Sequence, residues 1–283
     1  MHKSSKLGII LAGGTGSRLY PLSNYINKHL LPVYDKPMLD YSLSPLILMG
    51  IKKILIVSDL KTIKNLKKRY GNGNFLNINI KYSIQERPNG IPEIFKLESK
   101  YISNFQKICL MLGDNFFYGS NLTSFIKTRF ETFQSSEIFT YKVKNTWDYG
   151  ILELDKNNNP KKITEKPLKT SSNLAITGMY FFNNDVVNRI KKIKPSSRGE
   201  LEITDLIKTY LNKDELSVSI LPRGTTWYDA GSPKRLIELS EFVRHIEERQ
   251  GYKIHCLEEI ALRIKLISKK DFKKLISSYP NSE

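Results

Sequence analysis

Three glycines and two cations lie close together in the stretch "ILAGGTGSRLYPLSNYINKHLLP" near the start of the chain. They are Gly13, Gly14, Gly16, Arg18 and Lys28. Glycine lets a backbone approach a ligand closely, and arginine offers a planar fork of hydrogen-bond donors. Exposed backbone N–H groups beside such a fork suit a polyphosphate, so the stretch predicts a phosphate-binding loop. A plain tight turn followed by a surface arginine is the alternative interpretation.

Two familiar glycine motifs do not match this stretch. The dinucleotide fingerprint needs a third glycine where Leu19 stands, and the P-loop needs a Gly-Lys-Ser/Thr triplet that does not occur there. What remains is an apolar strand, a glycine loop and the Arg18 side chain. The phosphate hypothesis therefore depends on what the rest of the chain brings to the same place.

Two aspartates stand in similar surroundings later in the chain. Asp114 ends the apolar run "KICLMLGD", and Asp229 lies in "WYDAG" ahead of a predicted helix. A carboxylate against an apolar wall is unfavourable unless it meets a cation. Two carboxylates near a polyphosphate suggest Mg²⁺, which binds one or two carboxylates together with phosphate oxygens. Taken singly, each aspartate could equally be a helix cap or a turn former.

Short apolar runs alternate with helical patterns through the first half of the chain. The predicted strands are Leu7–Ala12, Lys53–Val57, Ile78–Ile84 and Ile108–Leu112. The predicted helices are Met38–Met49, Ile63–Tyr70 and Pro92–Tyr101. This alternation predicts an α/β fold, with a largely parallel sheet covered by helices on both faces. Ligands bind beyond the carboxyl ends of such strands, where the glycine loop and the "LGDN" motif both fall.

The second half of the chain is richer in strands. "IFTYKV", "YGILELD", "KKITEKP", "LAITGMYFF" and "LSVSILP" read as strands, and Asp155–Pro160 reads as a hairpin turn. Predicted helices return at Asp185–Lys194, Glu202–Asn212 and Ser232–Gln250, and two short amphipathic helices follow Leu257. Trp227 and Tyr180 are expected in the core, and Glu200 and Glu202 are expected to cap the helix after them.

Composition bounds the function classes. The chain has 283 residues, 40% hydrophobic residues and a formal net charge of +17. The excess of lysine is spread along the whole sequence, which favours a general surface bias over a nucleic-acid or membrane partner. Two distant cysteines give no metal spacing and no disulfide framework. We therefore expect a soluble, cytoplasmic protein with no nucleic-acid or membrane partner.

Ten motifs in order make the sequence similar to the sugar-1-phosphate nucleotidyltransferases. They are "GIILAGGTGSRLYP", "NKHLLPVYDKPM", "QERPNG", "LGDN", "DYGILELD", "TEKP", "AITGMYFF", "RGELEIT", "WYDAG" and "RQGYKIHCLEEIA". The resemblance covers about residues 7–265. It is closest to the members that join a thymidine nucleotide to glucose 1-phosphate. Each motif alone is a weak signal, whereas ten in the family's order are specific.

The resemblance implies a fold and a domain organisation. The fold is a Rossmann-like three-layer α/β/α sandwich with a mixed central sheet, an added β region and C-terminal helices. A catalytic domain would cover residues 1–250, with a nucleotide-binding half at about 1–135 and a sugar-binding half at about 136–231. Residues 251–283 would form a helical appendage.

The resemblance also implies a reaction and its partners. The phosphate of glucose 1-phosphate attacks the α-phosphorus of dTTP with Mg²⁺ as cofactor, which gives dTDP-glucose and pyrophosphate. Such chemistry needs in-line positioning and neutralisation of charge more than an acid or a base. Relatives are often homo-oligomers, so a dimer or a tetramer is expected.

The family's residue roles pass to matching positions of this sequence. Arg18, Lys28, Lys166 and Asp114 would be catalytic, and Asp114 and Asp229 would hold Mg²⁺. The nucleotide would be bound by Gly13, Gly14, Thr15, Gly16, Ser17, Arg18, Lys28, His29, Gln85, Gly90 and Asp114. The sugar phosphate would be bound by Asn115, Tyr149, Gly150, Glu165, Lys166, Ile176 and Arg198.

Three positions depart from the family pattern. His29 replaces a glutamine that touches substrates, Pro92 removes a backbone donor at the start of a helix, and Ile94 replaces a smaller alanine. All three are expected to press on the nucleotide pocket. The same reaction with UTP, CTP or another sugar 1-phosphate is therefore an open alternative.

A catalytically silent nucleotide- or nucleic-acid-binding protein is the remote alternative. Such a protein would be expected to have lost charged groups of the site. Arg18, Lys28, Asp114, Lys166 and Asp229 are all present, which favours an active transferase.

Overall fold

The computed structural model describes residues 5–14 and 16–280. The strands are β1 Lys6–Leu11, β2 Pro32–Val33, β3 Lys36–Pro37, β4 Lys53–Ser58, β5 Asn79–Ile84, β6 Lys107–Leu112, β7 Asn115–Tyr118, β8 Ser136–Lys142, β9 Gly150–Leu154, β10 Pro160–Glu165, β11 Leu174–Asn183, β12 Leu216–Ile220 and β13 Thr226–Asp229. The helices are α1 Leu22–Tyr25, α2 Met38–Leu48, α3 Leu60–Tyr70, α4 Ile94–Leu97, α5 Ser99–Ile102, α6 Leu122–Thr132, α7 Val186–Arg189, α8 Ile203–Leu211, α9 Pro233–Gln250, α10 Leu257–Arg263 and α11 Lys269–Ile276. Short 3₁₀ turns cover Ser17–Leu19, Lys28–Leu30, Asn74–Leu76, Ile91–Glu93 and Ile190–Lys192.

Nine strands form one mixed central sheet. Its main path runs β10-β9-β11-β6-β1-β4-β5, and β8 pairs with β11 and with β12. The strands β6, β1, β4 and β5 are parallel to one another. The long strand β11 runs antiparallel to β6, β8 and β9, and so joins the parallel half to the later strands.

The alternation of side chains along the buried strands produces two cores. Leu7 and Ile9 of β1 pack into one of them, whereas Ile10 packs into the other. Helices α2, α3, α6 and α10 contribute to the core that holds Ile10, and α4, α5, α7 and α8 contribute to the opposite one. A sheet that is apolar on both faces requires helices on both faces. The three-layer α/β/α sandwich with a mixed sheet is therefore confirmed.

A separate two-stranded sheet lies beside the main one. Strand β7 pairs antiparallel with β13, and Asn115 stands opposite Asp229. A third apolar cluster joins these strands to helix α9 through side chains such as Phe116 and Val243. The Ser42 hydroxyl on α2 donates to the Asn115 carbonyl (2.9 Å) and fixes β7 to the first half of the chain.

Most predicted elements are confirmed within a few residues, with two exceptions. The helix predicted at Pro92–Tyr101 is a 3₁₀ turn followed by α4 and α5, because Glu98 leaves the helical region at φ −109° and ψ 25°. The helix predicted at Asp185–Lys194 is only one α turn, α7, continued by a 3₁₀ turn. No helix in the described ranges is long and apolar enough to pass through a membrane.

Candidate active site

A cavity of about 510 Å³ opens at the carboxyl ends of β1 and β6. Most of the predicted site residues line it. They are Gly13, Gly14, Arg18, Lys28, His29, Gln85, Gly90, Asp114, Asn115, Tyr149, Gly150, Glu165, Lys166, Ile176 and Asp229. The sheet therefore brings segments from the whole chain to the edge where α/β sheets bind their ligands.

Some predicted site residues lie elsewhere. Gly16, Ser17 and Arg198 are not among the residues that line this cavity. Thr15 lies outside the residues that the structure describes. The Arg198 guanidinium is 2.8 Å from Glu202 and 3.7 Å from Glu165, so it reaches the cavity wall only through a carboxylate that lines it.

Lys28 and Asp114 form a buried ion pair at the base of the cavity. The Lys28 ammonium lies 2.5 Å from Asp114 Oδ2, and the side-chain Nδ2 of Asn115 donates to Asp114 Oδ1 (3.1 Å). Burial by itself would raise the pKa of Asp114, but the Lys28 charge and the hydrogen bonds from Lys28 and Asn115, acting together with the other neighbours, hold that pKa well below its ordinary value. Asp114 is therefore ionised throughout the neutral range.

Asp229 reaches the same cavity from the neighbouring strand. The Ala230 amide donates to the Asp114 carbonyl (2.9 Å), and the Gly231 amide donates to Asp229 Oδ1 (3.0 Å). Burial and the negative charge of Asp114 raise the pKa of Asp229, whereas nearby cations, Arg18 first among them, oppose the rise. The buried carboxylate of Asp114 and the half-buried carboxylate of Asp229 thus face one cavity, and a further cation would relieve their repulsion.

Arg18 packs directly against the loop that carries Asp229. A Cβ built on Gly231 would lie 2.7 Å from Arg18 Nη2 and 2.8 Å from Asp229 Oδ1. Only glycine leaves room there for the guanidinium. Arg18 thus lies near Asp229 and lines the same cavity as Gly13 and Gly14, and its binding of phosphate stays a prediction.

The segment predicted to read the base is held by close backbone packing. Gln85 donates through Nε2 to the Gly90 carbonyl (3.3 Å) and to Glu93 (2.5 Å). The Leu201 amide donates to the Asn89 carbonyl (2.8 Å). Gly90 has φ +105°, and a Cβ there would lie 2.7 Å from the Leu201 nitrogen and closer still to its carbonyl oxygen. Glycine is required at this position by conformation and by space.

The predicted sugar side is built on β9, β10 and α8. Gly150 fits between Thr204 and Glu165, since a Cβ would lie 2.8 Å from the Thr204 methyl group and 3.3 Å from Glu165 Oε2. Burial raises the pKa of Glu165, and the Lys166 charge opposes the rise. A carboxylate in this position can accept hydrogen bonds from hydroxyl groups.

Lys166 has an unusual backbone conformation. Its φ is +43°, in the left-handed region that non-glycine residues rarely adopt. Its amide donates to the Tyr149 carbonyl (3.0 Å), which fixes β10 to the segment before β9. Local strain of this kind is concentrated at functional sites, where the surrounding structure holds it in place.

His29 lies under the cavity as a neutral ring. Asn27 Oδ1 accepts from the His29 amide (2.9 Å) and lies 2.8 Å from ring Nδ1. Because an amide oxygen only accepts, Nδ1 carries the ring hydrogen. Burial, and then the Lys28 charge, lower the pKa of His29 to about 3. This residue therefore contributes shape and one acceptor nitrogen, without a charge.

The other two departures do not press on the nucleotide pocket. Ile94 is fully buried in the core beside Phe95, and Pro92 is buried without lining the cavity. The 3₁₀ turn at Ile91–Glu93 directs Ile91 to the cavity instead. The expectation that Pro92 and Ile94 narrow the pocket is wrong, and of the three positions only His29 touches it.

Several residues at or near the cavity make contacts that the sequence does not predict. Trp227 is buried as expected, but it also lines the cavity and donates to Asn115 Oδ1 (2.7 Å). Glu202 makes no capping bond through its side chain and pairs with Arg198 instead. Asp148, the first residue of the "DYGILELD" motif, lines the cavity and pairs with Arg235, a partner that no motif indicates.

Asp114 and Asp229 are the carboxylates predicted to bind a metal in this cavity, which Asp148, Glu165 and Glu200 also line. Among residues 5–14 and 16–280, no group of three or more His, Cys, Asp or Glu side chains is arranged to hold a metal ion. Asp114 and Asp229 are each bound by donors on the protein, yet a carboxylate oxygen keeps a second lone pair. A cation bound here would need its remaining ligands from substrates or water.

Comparisons with known proteins show the family to which this chain belongs. A glucose-1-phosphate thymidylyltransferase of Neisseria meningitidis is 43% identical over 90% of this chain and 88% of its own length. One from Mycolicibacterium smegmatis is 42% identical over 90% of this chain and 88% of its own length.

Solved structures share the fold. A proposed glucose-1-phosphate thymidylyltransferase from Bacillus anthracis, in complex with a sucrose, has a TM-score of 0.77 and 31% identity, and the match covers 84% of this chain and 95% of that one. A UDP-glucose pyrophosphorylase complexed with UDP-glucose has a TM-score of 0.73 and 22% identity, over 85% of this chain and 99% of that one, which shows the fold alone. The nucleotidyl transferase family model matches residues 7–246. This chain belongs to the nucleotidyl transferase family.

Proposed function

We propose that this protein is a glucose-1-phosphate thymidylyltransferase, which joins dTTP and glucose 1-phosphate into dTDP-glucose and releases pyrophosphate. The observation that carries the proposal is the convergence of five charged groups on one cavity: Arg18, Lys28, Asp114, Lys166 and Asp229. The relatives with this name, at 42–43% identity over 90% of the chain, support the same choice of substrates.

The reaction joins two polyanions, so their repulsion is the main obstacle. An oxygen of the sugar phosphate forms a bond to the α-phosphorus of dTTP, and the bond from that phosphorus to the bridging oxygen breaks. The electron pair of the broken bond leaves with pyrophosphate. Arg18 and Lys28 stabilise the leaving group, and the backbone of Gly13 and Gly14 lines the triphosphate. Positioned cations of this kind act on charge that develops in the transition state.

Lys166 and Glu165 hold the other substrate. The Lys166 ammonium neutralises the sugar phosphate, and the carboxylate of Glu165 accepts from sugar hydroxyls. Arg198 is an additional phosphate ligand only when it exchanges its pairing with Glu202, 2.8 Å away, for the substrate. Gln85 and Gly90 bind the edge of the pyrimidine base.

Asp114 and Asp229 are the proposed ligands of Mg²⁺. Their donor set fits, because two carboxylates plus phosphate oxygens form the site that Mg²⁺ usually takes. Burial, and then the negative charge of Asp114, raise the pKa of Asp229, which supports the proposal of a further cation at this pair. Bound Mg²⁺ would neutralise phosphate charge. Lys28 meanwhile keeps Asp114 ionised, and the Gly231 amide orients Asp229.

The proposed cellular setting follows from the chemistry of the substrates. Nucleoside triphosphates and sugar phosphates are cytoplasmic metabolites, so we place the enzyme in the cytoplasm as a supplier of nucleotide sugar for deoxysugar and polysaccharide synthesis. A homo-oligomer, either a dimer or a tetramer, is part of the proposal on the basis of the family. No nucleic-acid or membrane partner is proposed.

A substrate panel tests the proposal. Purified protein with Mg²⁺ is given dTTP, UTP, CTP, ATP or GTP with glucose, galactose or mannose 1-phosphate, and pyrophosphate release is measured. We expect the highest kcat/KM with dTTP and glucose 1-phosphate. A higher kcat/KM with UTP or CTP, or with another sugar, would replace the substrate assignment. If the protein bound oligonucleotides and released no pyrophosphate with any substrate pair, the proposal that it is an enzyme would be wrong.

A further inference from the structure

Arg235 joins two parts of the cavity wall that the proposed mechanism uses separately. Its Nη1 lies 3.1 Å from Asp229 Oδ2, and its Nη2 lies 2.5 Å from Asp148 Oδ2. The guanidinium carbon also lies 5.4 Å from the centre of the Tyr149 ring. One side chain thus contacts a proposed metal ligand and the segment that begins the sugar side.

The backbone around Arg235 fixes the origin of this side chain. Helix α9 begins at Pro233, and the Ser232 hydroxyl caps it by accepting from the Arg235 amide (3.4 Å). The side chain of Arg235 is 22% exposed, whereas that of its neighbour Lys234 is 85% exposed and points to solvent. Arg235 therefore leaves the first turn of a capped helix toward the site, and Lys234 does not.

The charges explain why a guanidinium suits this place. Asp229 lies close to the buried Asp114 with its own side chain 14% exposed, and the side chain of Asp148 is 33% exposed. A planar guanidinium can donate to two carboxylates at once in fixed directions, whereas a lysine ammonium is a point charge on a flexible stem. With Nη1 on Asp229 and Nη2 on Asp148, the distance between these two carboxylates is set by the fork.

We propose that Arg235 is a positioning residue for the transferase reaction. It holds Asp229, the proposed metal ligand, in register with the segment 148–150 on the sugar side, so that the two substrates meet in line. This proposal rests on the proposed function and adds to it a residue that touches neither substrate. Its hydrogen bonds do not reach Gln85 or Gly90, so base recognition is independent of it.

Changing Asp148, one partner of Arg235, and changing Arg235 itself should have different kinetic effects. Asp148→Asn weakens only the link to the sugar side, so the KM for glucose 1-phosphate should rise with little change in kcat. Arg235→Ala also frees Asp229, so kcat should fall together with the rise in that KM. Loss of a residue that orients a metal ligand typically lowers activity by about 10–100-fold. The KM for dTTP should change by less than about twofold in both variants, since base contacts are retained.

The test measures steady-state kinetics and substrate binding on wild type, on four variants and on one control. The variants are Arg235→Ala, Arg235→Lys, Asp148→Asn and the double variant Arg235→Ala/Asp148→Asn. The matched control from the same helix turn is Lys234→Ala. Calorimetric titration with glucose 1-phosphate, without nucleotide or metal, gives an affinity that does not depend on turnover. Thermal melting checks that each variant is folded.

The expected results form one pattern. Glucose 1-phosphate affinity falls in Arg235→Ala and in Asp148→Asn, and the double variant is no weaker than Arg235→Ala, because the two residues act through one link. Arg235→Lys keeps the positive charge and still shows the raised KM. Lys234→Ala behaves as wild type.

Three outcomes would overturn the role of Arg235. They are an Arg235→Ala enzyme with the kcat and KM values of Lys234→Ala, full recovery by Arg235→Lys, and additive effects in the double variant. If Arg235→Ala lowered the melting temperature and left kcat and KM unchanged, Arg235 would only stabilise the fold and would not position the site. Wild-type protein that neither reacts with nor binds a sugar phosphate would overturn the proposed function and this role together, whereas an active wild type with an unaffected Arg235→Ala would overturn this role alone.

Discussion

Asn115 and Asp229 stand opposite each other in the antiparallel pair of β7 and β13. This register places Asp114, the residue before Asn115, beside the strand end that carries Asp229, and the Ala230 amide closes the turn on the Asp114 carbonyl (2.9 Å). Two carboxylates from distant parts of the chain thereby share one cavity with unequal surroundings. Asp114 has Lys28 as its partner, whereas Asp229 is the less compensated of the two.

Neutralising either aspartate should stop the reaction but change stability in opposite directions. Asp114→Asn leaves the buried Lys28 without its partner, so the free energy of unfolding should fall by about 1–3 kcal/mol. Asp229→Asn removes a charge whose ionised form is disfavoured by burial and by Asp114, so stability should be unchanged or higher. Denaturant unfolding and pyrophosphate release measure the two effects. An Asp229→Asn protein as unstable as Asp114→Asn would contradict the unequal surroundings.

The contributions of Asp114 and Asp229 to the free energy of unfolding should depend on pH in opposite ways. The pKa of Asp229 is raised, so the stability of wild type relative to Asp229→Asn is greatest below the ordinary carboxyl pKa of 3.8 and is lost as pH rises through the raised value. The pKa of Asp114 is lowered, so its contribution is present above 3.8 and is lost only as pH falls through the lowered value. Unfolding curves of metal-free protein from neutral pH downward measure both signs. If the stability of Asp114→Asn and of Asp229→Asn, each relative to wild type, changed with pH in the same direction, the opposite pKa shifts of the two aspartates would be contradicted.

Lys166 should be required for turnover and not for folding. Lys166→Ala removes the proposed cation on the sugar phosphate, and loss of one such group costs about 10²–10³ in kcat. Because φ at this position is +43°, Lys166→Gly should be more stable than Lys166→Ala by about 1 kcal/mol while being equally inactive. Chemical denaturation compares the two proteins, and exposed Lys169→Ala is the control for charge. Near-normal turnover in Lys166→Ala would remove this residue from the mechanism.

Gly90→Ala should weaken nucleotide binding. Its Cβ would overlap the Leu201 backbone, so the Gln85–Gly90 segment must move away from the cavity. The KM for dTTP should rise by roughly tenfold or more, and stability should fall by about 1–3 kcal/mol. Gly50→Ala is a matched control, because Gly50 also has a positive φ of 77° but nothing within 4 Å of the new Cβ. Equal effects in the two variants would mean that backbone conformation, and not the contact with Leu201, sets the result.

Local patterns predicted most of the scaffold, whereas the resemblance to the sugar-1-phosphate nucleotidyltransferases supplied many of the candidate site residues. Apolar runs such as Ile108–Leu112 are long enough and bounded clearly enough to be recognised as buried strands. The glycine loop and the "LGDN" motif follow such strands directly, so their place at the carboxyl edge could be predicted. The division into residues 1–135, 136–231 and 251–283 stays a prediction.

The position of Ile94 depends on packing that a local pattern does not contain. The sequence predicts that Ile94 presses on the nucleotide pocket, but the chain after the turn at Ile91–Glu93 places this side chain in the core. Arg198 forms an ion pair with Glu202, four residues further along the chain, and does not line the cavity. Its contact with a sugar phosphate therefore stays a prediction.

The sequence by itself determined the alternation of strands and helices, the glycine loop and the charged groups that the chemistry needs, because these follow from short-range periodicity and residue type. Only the tertiary structure decided that Asp114 has Lys28 as partner while Asp229 is bridged by Arg235 to Asp148. The strands β7 and β13 are short and carry no distinctive pattern, so the pairing that unites the two aspartates arises from long-range contacts. Burial and neighbouring charge, which set the protonation of each group, exist only after that pairing has formed.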